Sequence, residues 1–349
     1  MLTKSQLRTP VWDTDTVYAE SLLFVRNADG IAEAPLLFPP VEILRFTDPG
    51  GSIEYEAGRD YTLNGSTVRL TENSHIFAFT EAELYPEQGE HGKTSFPDAT
   101  GNILFREGRF FPERIVYITY KCRNTWQGIR PYLADKALPR TFAKLRGGED
   151  ICVLLNGDSI SAGANATALL QMPPYQPDFG TMLYDALTDA YSGSIRYVNT
   201  SVGGKGIDWA VKNVQANICD YAPDLVIVGF GMNDGGKTPE EFAAKCRTLL
   251  SLVRAKKPET EFLLIATSTP NPRLTNPRAK FWGSQSMQRP ELDKIAADTE
   301  GVAVADITAM QRELMRSKRF LDLTSNHVNH PNDFFYRCYT HFLSGMLIG

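Results

Sequence analysis

Ser159 follows an apolar stretch in the segment LLNGDSISAG (Leu154–Gly163). A serine hydroxyl is a weak nucleophile unless a base lies within hydrogen-bonding distance, and histidine is suitable because its pKa lies near neutrality. His330, in TSNHVNHPND near the C-terminus, is a candidate base. Gly157-Asp158-Ser159 alone is also compatible with a turn or a helix start, because Asp and Ser stabilise tight backbones. The function of Ser159 therefore depends on the residues around it.

Two further loops carry groups that suit acyl transfer. Gly204 lies in VNTSVGGKGIDWA, and Asn233 lies in GFGMNDGGK. Attack on an ester carbonyl creates an oxyanion, which preorganised N–H donors stabilise. The backbone N–H groups of Ser159 and Gly204 and the side-chain amide of Asn233 are suitable donors. The structural alternatives are a turn residue at Asn233 and a positive φ at Gly204.

Short, nearly continuous apolar runs occur from Ile151 onward, and the loops with the candidate residues follow the ends of such runs. Such runs are typical of parallel strands that are covered on both faces, and helical patterns alternate with them. The sequence therefore predicts a doubly wound α/β sheet, whose ligand crevice lies at the carboxyl ends of the strands. The predicted strands are ICVLL, IRYVN, DLVIVGF, EFLLIA and VAVAD.

A helix is well marked between the third and fourth of these strands. Thr238 is a suitable N-cap, Pro239 occupies the first helical position, and Glu241 completes a capping box. The following apolar residues recur with a helical period and predict one buried face. They are Phe242, Cys246, Leu249, Leu250 and Val253.

The first part of the chain has a different pattern. Runs rich in β-branched and aromatic residues alternate with Gly, Pro and Asn clusters, and no convincing helical period is present. The pair Asn64-Gly65 separates two such runs and predicts a hairpin. We expect an all-β, jelly-roll-like sandwich domain over residues 1–140 and an α/β domain over 141–349. The predicted strands include TVYAESLLFVRN, VEILRF, SIEYEAG and RIVYITYKC.

The segments from Ile151 onward resemble, in order, the four blocks of the SGNH branch of the GDSL esterase/lipase family. The resemblance implies a serine nucleophile at Ser159, oxyanion-stabilising groups at Gly204 and Asn233, and a base at His330, with Gly203 as the alternative loop glycine. It also implies a flavodoxin-like, three-layer α/β/α hydrolase domain that forms an acyl-enzyme.

One position departs from the family pattern. An aspartate usually lies three residues before the histidine, and His327 occupies that position here. A neutral histidine lacks the charge that stabilises an imidazolium, and a protonated one would repel it. We therefore expect a backbone carbonyl to hold His330, which gives a Ser159–His330 dyad. The alternative is a carboxylate such as Asp322 or Asp333.

A metal site is the alternative interpretation of the two histidines, His327 and His330. Catalytic zinc usually has three protein ligands, and no third ligand is spaced convincingly nearby. We therefore expect neither a metal nor another cofactor. Because all four blocks follow Ile151, we expect the N-terminal domain to contribute to substrate selection and not to the chemistry.

A β-sandwich ahead of an SGNH domain, together with the run NHPNDF, resembles two-domain carbohydrate esterases. The resemblance implies a serine esterase that removes O-acetyl groups from oligosaccharides. Two alternatives stay open. One is a short-chain lipid esterase or thioesterase, and the other is a carbohydrate-binding protein with an inactive hydrolase domain.

Composition limits the partners and the location. The 349 residues carry a formal net charge of −5, which argues against nucleic-acid and anionic-membrane partners. No run approaches the ~20 apolar residues of a membrane span, and the first residues lack the features of a signal peptide. The five cysteines are widely spaced, which is typical of a reducing compartment. We expect a cytoplasmic protein, and the oligomeric state is left open.

Overall fold

The structure is a computed structural model that describes residues 2–275 and 283–349. Its N-terminal part consists mainly of short strands. They are β1 (Thr16–Leu22), β2 (Phe24–Arg26), β3 (Ala32–Pro35), β4 (Pro40–Thr47), β5 (Tyr61–Asn64), β6 (Thr67–Leu70), β7 (Ala78–Thr80), β8 (Ser95–Pro97), β9 (Asn102–Leu104) and β10 (Val116–Cys122).

These strands form a three-stranded sheet of order β1-β10-β4, a five-stranded sheet of order β5-β6-β3-β2-β7, and the β8-β9 pair. All neighbours are antiparallel except β2 and β7, which are parallel. The predicted hairpin is present as β5-β6, and Gly65 in its turn has a φ of +59°. The β-rich character of this region is confirmed, whereas the jelly-roll assignment stays a prediction.

SIEYEAG was expected to be a strand, but it contains only isolated bridges. Carboxylates bind backbone N–H groups of this segment that a neighbouring strand would otherwise use. Asp48 accepts from the N–H of Ile53 at 2.7 Å, and Asp60 accepts from that of Glu56 at 2.9 Å. The strand prediction is therefore wrong because turn capping by side chains competes with sheet pairing.

Two short helices also occur in the region where no helical period is visible. They are α1 (Lys4–Arg8) and α2 (Glu81–Leu84), and each begins with a threonine capping box. A helix of one turn spans too few residues to show a period, so its only sequence signal is the cap.

The C-terminal part alternates strands with helices. Its strands are β11 (Ile151–Gly157), β12 (Ile195–Asn199), β13 (Leu225–Gly229), β14 (Glu261–Ala266) and β15 (Val302–Asp306). Its helices are α3 (Pro139–Gly147), α4 (Phe179–Ala190), α5 (Ile207–Lys212), α6 (Val214–Asn217), α7 (Pro239–Arg254), α8 (Gln288–Asp298), α9 (Ile307–Leu314) and α10 (Asp333–Leu347). Short 3-10 helices lie at Pro112–Arg114, Ala134–Lys136, Cys219–Tyr221, Met232–Asp234, Gln285–Met287 and Phe320–Asp322.

The five predicted strands form one parallel sheet of order β12-β11-β13-β14-β15. Counted from β11, this is the flavodoxin-like order 2-1-3-4-5, which confirms the predicted fold class. The N-cap of α7 is also confirmed, because the Thr238 side chain accepts from the N–H of Glu241 and the Glu241 side chain accepts from the N–H of Thr238.

Alternate residues of the sheet enter different cores. Leu154 and Val226 pack with α5, α7 and α8 on one face, whereas Leu155 and Ile227 pack with α4, α9 and α10 on the other. The result is a three-layer α/β/α arrangement in which both faces of the sheet are buried.

The N-terminal strands share their hydrophobic core with the second of these faces. Trp12 lies edge-on to Phe342 of α10, with ring centroids 6.2 Å apart. A buried ion pair crosses the same boundary, because Lys318 Nζ lies 2.5 Å from a carboxylate oxygen of Glu20, whose other oxygen accepts from the Tyr120 hydroxyl at 2.6 Å. The division at residue 140 stays a prediction, but the two parts pack as neighbours around one core.

Candidate active site

The predicted site lies where two adjacent strands of the parallel sheet end. β11 pairs with β13 up to Gly157 and Gly229, and Ser159 and Asn233 follow these strands. In the flavodoxin-like strand order the direction of winding changes between these two strands, and such switch points open a crevice at the carboxyl edge of the sheet.

Ser159 is presented by a tight turn after β11. A Cβ atom at Gly157 would lie only 2.5 Å from the carbonyl oxygen of Gly229, so the close approach of the strands requires glycine there. After the serine, the N–H of Ala164 bonds the carbonyl oxygen of Ser159 at 2.9 Å, and the N–H of Ala162 bonds that of Asp158 at 2.9 Å. These local bonds fix the backbone that carries the hydroxyl.

His330 lies against this serine. The distance from its Nε2 to Oγ of Ser159 is 2.8 Å, and the two residues are only 8% and 9% exposed. A backbone hydrogen bond closes the loop that carries His330, because the N–H of Ser325 donates to the carbonyl oxygen of His330 at 2.9 Å. Ser159 and His330, two of the predicted site residues, are thus in contact, at the distance that a nucleophile and its base require.

The other ring nitrogen of His330 contacts a residue that sequence reasoning missed. Its Nδ1 lies 3.1 Å from Oε2 of Glu107, in the loop between β9 and β10. This contact contradicts the expectation of a backbone carbonyl at this position, on which the Ser159–His330 dyad was based. The contact also speaks against the expectation that the N-terminal domain contributes to substrate selection and not to the chemistry. The shared core places a loop of the N-terminal part beside the histidine.

Glu107 is held in place by two asparagines. Asn165 Nδ2 donates to its Oε2 at 2.8 Å, and Asn326 Nδ2 donates to its Oε1 at 3.1 Å. Burial raises the pKa of Glu107, but the hydrogen bonds and charge of His330 and the two amides outweigh burial, so the pKa lies below its ordinary value. The carboxylate is therefore ionised, and its 46% exposed side chain keeps part of it in contact with water, which also favours the charged form.

Asn326 also shapes the histidine loop. Its side-chain oxygen accepts from the backbone N–H groups of Val328, Asn329 and His330 at 2.9 to 3.1 Å. One side chain thus holds both the Glu107 carboxylate and the loop that carries His330. No short motif marks Glu107 or Asn165 in the sequence, and Asn326 differs in no visible way from the other asparagines of its segment.

The two aspartates proposed as alternatives serve other parts of the structure. Asp322 forms an ion pair with Arg319 at 2.7 Å and accepts from the N–H of Leu23. Asp333 accepts from the hydroxyl of Thr167 at 2.6 Å. Among the described contacts, neither aspartate bonds His330. The alternative is therefore right that a carboxylate holds the ring, but the carboxylate is Glu107 and neither of the two aspartates named for it.

His327 is turned into the interior. Its φ is +68°, and its ring lies between those of Tyr85 and Phe111, with centroid distances of 5.5 and 5.8 Å. Burial, with a smaller effect of the nearby Arg273 charge, lowers the pKa of His327 to about 3, so the ring is neutral. It therefore packs as a neutral core residue and does not orient His330.

The loop after β12 approaches the serine from the other side. A Cβ atom at Gly203 would lie 3.7 Å from the Cβ of Ser159, and Gly204 has a φ of +73°. The amide of Asn233 donates to the carbonyl oxygen of Lys205 at 3.0 Å, which ties the two loops together. The structure thus gathers all the predicted site residues, and the assignment of Gly204 over Gly203 stays a prediction.

Asp158 is fully buried next to the serine. One carboxylate oxygen accepts from the N–H of Ile160 at 3.0 Å, and the other has no hydrogen-bond partner among the described residues. Burial raises the pKa of Asp158 to about 7, against the opposing effects of the Ile160 bond and of His330. The side chain is therefore a structural group beside the site and does not contact the hydroxyl of Ser159.

Within residues 2–275 and 283–349, no group of three or more His, Cys, Asp or Glu side chains is placed to hold a metal ion. In the same residues, no helix has the length and apolar character needed to cross a bilayer.

Comparison with known families identifies the domain. Residues 155–338, more than half of the chain, match the model of the GDSL-like lipase/acylhydrolase family. The chain belongs to this family. The match contains Ser159, Gly204, Asn233 and His330, whereas Glu107 lies outside it. No curated protein matches the chain by sequence.

Solved structures are similar to parts of this chain at low sequence identity. A two-domain esterase (CEX) active on acetylated mannans is 17% identical, with a TM-score of 0.49, over 62% of this chain and 53% of that chain. This chain thus spans about half the length of that esterase. A catalytic mutant of Axe2, an acetylxylan esterase from Geobacillus stearothermophilus, is 16% identical, with a TM-score of 0.46, over 56% of this chain and 92% of that chain. At these identities and TM-scores, the similarities do not specify the substrate of this protein.

Proposed function

We propose that this family member is a serine esterase that removes O-acetyl groups from carbohydrates through an acyl-enzyme. In this proposal Ser159 is the nucleophile, His330 the general base and Glu107 the carboxylate that orients the base. The continuous chain of contacts from Ser159 Oγ to His330 Nε2 (2.8 Å) and from His330 Nδ1 to Glu107 (3.1 Å) carries the proposal. Its geometry is that of a Ser-His-acid triad.

The reaction begins when Ser159 Oγ attacks the acyl carbon and its proton passes to Nε2 of His330. Glu107 holds the Nδ1–H and stabilises the imidazolium without taking its proton. The imidazolium then protonates the leaving sugar hydroxyl, and an acyl-serine remains. A water molecule repeats the sequence with His330 as base, which releases acetate and restores the serine.

The negative charge of the tetrahedral intermediate is stabilised by N–H donors at the two adjoining loops. One N–H of the Asn233 amide already bonds the Lys205 carbonyl, which fixes the amide plane and leaves its second N–H for the oxyanion. Gly204 remains the predicted backbone donor of the neighbouring loop.

A short acyl group on a polar alcohol is the substrate class that we favour. Ser159 and His330 are nearly buried, and His330 bonds Glu107, whose carboxylate is held by two asparagine amides, so polar groups lie beside the reacting atoms. The β-rich N-terminal region beside an SGNH-type domain supports a carbohydrate as the alcohol. The solved esterases named above act on acetylated mannans and xylan, but they share too little similarity to decide this point. A cytoplasmic location stays a prediction.

Hydrolysis rates on an acyl-length series test this proposal. We expect 4-nitrophenyl acetate to be cleaved with a higher kcat/KM than the butyrate and octanoate esters, and Ser159→Ala to abolish all three activities. Acetate release from O-acetylated oligosaccharides, measured against deacetylated controls, then tests the sugar. A preference for octanoate would favour the lipid esterase. A folded protein that cleaves no ester but binds oligosaccharides would favour the binding-protein alternative.

A further inference from the structure

A large cavity lies away from the serine, between the β1-β10-β4 sheet, α1 and the loop at residues 173–177. Its volume is about 630 Å³, which suits a small organic ligand. Ser159, His330 and Glu107 are not among the described residues that line it. The cavity is therefore separate from the candidate active site.

The cavity wall contains a buried arginine whose partners are all neutral. Arg337 is only 3% exposed, and its guanidinium donates to the side-chain oxygen of Gln176 at 2.7 Å and to the carbonyl oxygens of Tyr18 and Ala19 at 2.7 and 2.8 Å. Within the described residues no carboxylate lies within ion-pair distance of it. The charges of Asp333 and Glu20 act on it, but Asp333 is hydrogen-bonded to Thr167 and Glu20 is paired with Lys318. Burying a guanidinium without a hydrogen-bonded carboxylate costs free energy. An anionic ligand bound beside the guanidinium would offset that cost.

A second arginine lines the same cavity. Arg45 donates to the carbonyl oxygen of Gly51 at 3.0 Å, and it too forms no ion pair with any described carboxylate. The carboxylate of Asp48, which also lines the cavity, accepts from the backbone N–H groups of Ile53 and Gly50 at 2.7 and 3.2 Å. Its charge is thus partly neutralised within its own turn. The cavity presents two cations on a protein whose net charge is −5.

Three tyrosines also line the cavity. Two residues of its wall have a positive φ, which is rare for residues other than glycine. Tyr18, Tyr117 and Tyr175 line the cavity, and Tyr175 is 51% exposed. Tyr175 has a φ of +57°, and Ala19, at a bulge of β1, has a φ of +41°. Such backbone conformations are costly for residues other than glycine and concentrate at functional sites.

We propose that this cavity binds a small anionic sugar, in which a carboxylate or phosphate group faces Arg45 and Arg337 and the ring contacts the tyrosines. The Arg45 guanidinium can bind an oxyanion through parallel N–H donors, and Arg337, whose one terminal nitrogen is taken up by the Tyr18 and Ala19 carbonyls, adds positive charge beside it. Tyrosine rings offer flat apolar faces to the C–H surface of a sugar. This binding does not depend on the chemistry assigned to Ser159.

Calorimetric titration of the full chain with D-glucuronate, D-glucose 1-phosphate and D-glucose tests the proposal. The informative variant is Arg45→Glu, because Arg337 also holds the β1 bulge and its removal would disturb folding. Arg26→Glu is the matched control, since Arg26 likewise donates to a turn-glycine carbonyl oxygen, that of Gly30 at 3.0 Å, but does not line the cavity. Ser159→Ala separates this site from the active site.

We expect one or both anionic sugars to bind and glucose to bind more weakly. Preference between the two anions identifies a carboxylate or a phosphate as the natural group. Arg45→Glu should weaken anion binding by about tenfold or more, as the loss of a charge-assisted bond implies, and Arg26→Glu and Ser159→Ala should leave it unchanged. Equal binding of glucose, no binding of either anion, or an unchanged affinity in Arg45→Glu would overturn the proposal. A loss in Ser159→Ala as large as that in Arg45→Glu would place the ligand at the serine instead and would also overturn it.

Discussion

The carboxylate of Glu107 lies 3.1 Å from Nδ1 of His330, although 223 residues separate them in the chain. This contact joins the β-rich N-terminal part to the family domain at the ring nitrogen that keeps its proton in the proposed mechanism. The N-terminal part therefore completes the candidate site, and removing residues 1–140 would take away both the carboxylate and 22 of the 54 described buried residues of the shared core.

We predict that Glu107→Gln lowers kcat by about 10²- to 10⁴-fold with little change in KM, because the charge acts mainly on the imidazolium formed in the transition state. Steady-state kinetics on 4-nitrophenyl acetate measure this. Glu113→Gln, an exposed glutamate of the same region, is the matched control and should retain full activity. If Glu107→Gln kept the wild-type kcat, Glu107 would not be needed for turnover, and a Ser159–His330 dyad would be favoured instead.

Ser159 should be the residue that forms the acyl-enzyme. We expect a fluorophosphonate to label Ser159 stoichiometrically, and Ser159→Ala to lose both labelling and turnover, because only a serine activated by a base reacts. Mass spectrometry of the labelled peptide identifies the site. Labelling at any other residue would remove Ser159 from the proposed mechanism.

Asn233→Ala should lower kcat by about 10²- to 10³-fold and leave KM nearly unchanged, since an oxyanion donor acts mainly in the transition state. The two constants are measured on the same acetate ester. A variant in which KM rises and kcat is unchanged would show that Asn233 binds the ground state.

His327 and His330 should respond in opposite ways to replacement by alanine. We expect His330→Ala to abolish turnover, and His327→Ala to retain kcat within about tenfold, because the latter ring touches Tyr85 and Phe111. Loss of this buried ring should instead destabilise the protein by about 2–4 kcal/mol in chemical denaturation. Equal losses of activity in the two variants would contradict this assignment.

Asp158→Asn should change the pH dependence of stability. The pKa of Asp158 is raised to about 7 in the folded protein, so between its ordinary value and pH 7 the folded state binds more protons than the unfolded state. The stability of the wild type must then fall as pH rises through this range, and an amide cannot ionise. We expect the variant to gain stability relative to wild type from pH 4 to pH 7, by on the order of a few kcal/mol. A difference that is independent of pH would show that Asp158 titrates normally.

Much of the family domain was determined by local sequence. Apolar runs such as ICVLL and EFLLIA predict strands buried on both faces, and Thr238 and Glu241 fix the start of α7 through bonds between neighbouring residues. Ser159 and Asn233 could be expected at one edge because the carboxyl ends of parallel strands meet there and because both fall in blocks that resemble those of the family, and the structure places them after the adjacent strands β11 and β13. Local patterns do not fix side chains that meet across the fold.

Only the tertiary structure decided which group holds His330. Glu107 has no motif around it, and its place beside the histidine depends on the packing of two regions that are distant in sequence. The role of His327 was hidden for a related reason, because a positive φ turns its ring into the core and away from the position that the family pattern assigns to an aspartate. The cavity with Arg45 and Arg337 likewise exists only between elements that the sequence keeps apart. Such contacts depend on how side chains from distant parts of the chain pack against one another. Short-range sequence patterns carry no information about that packing.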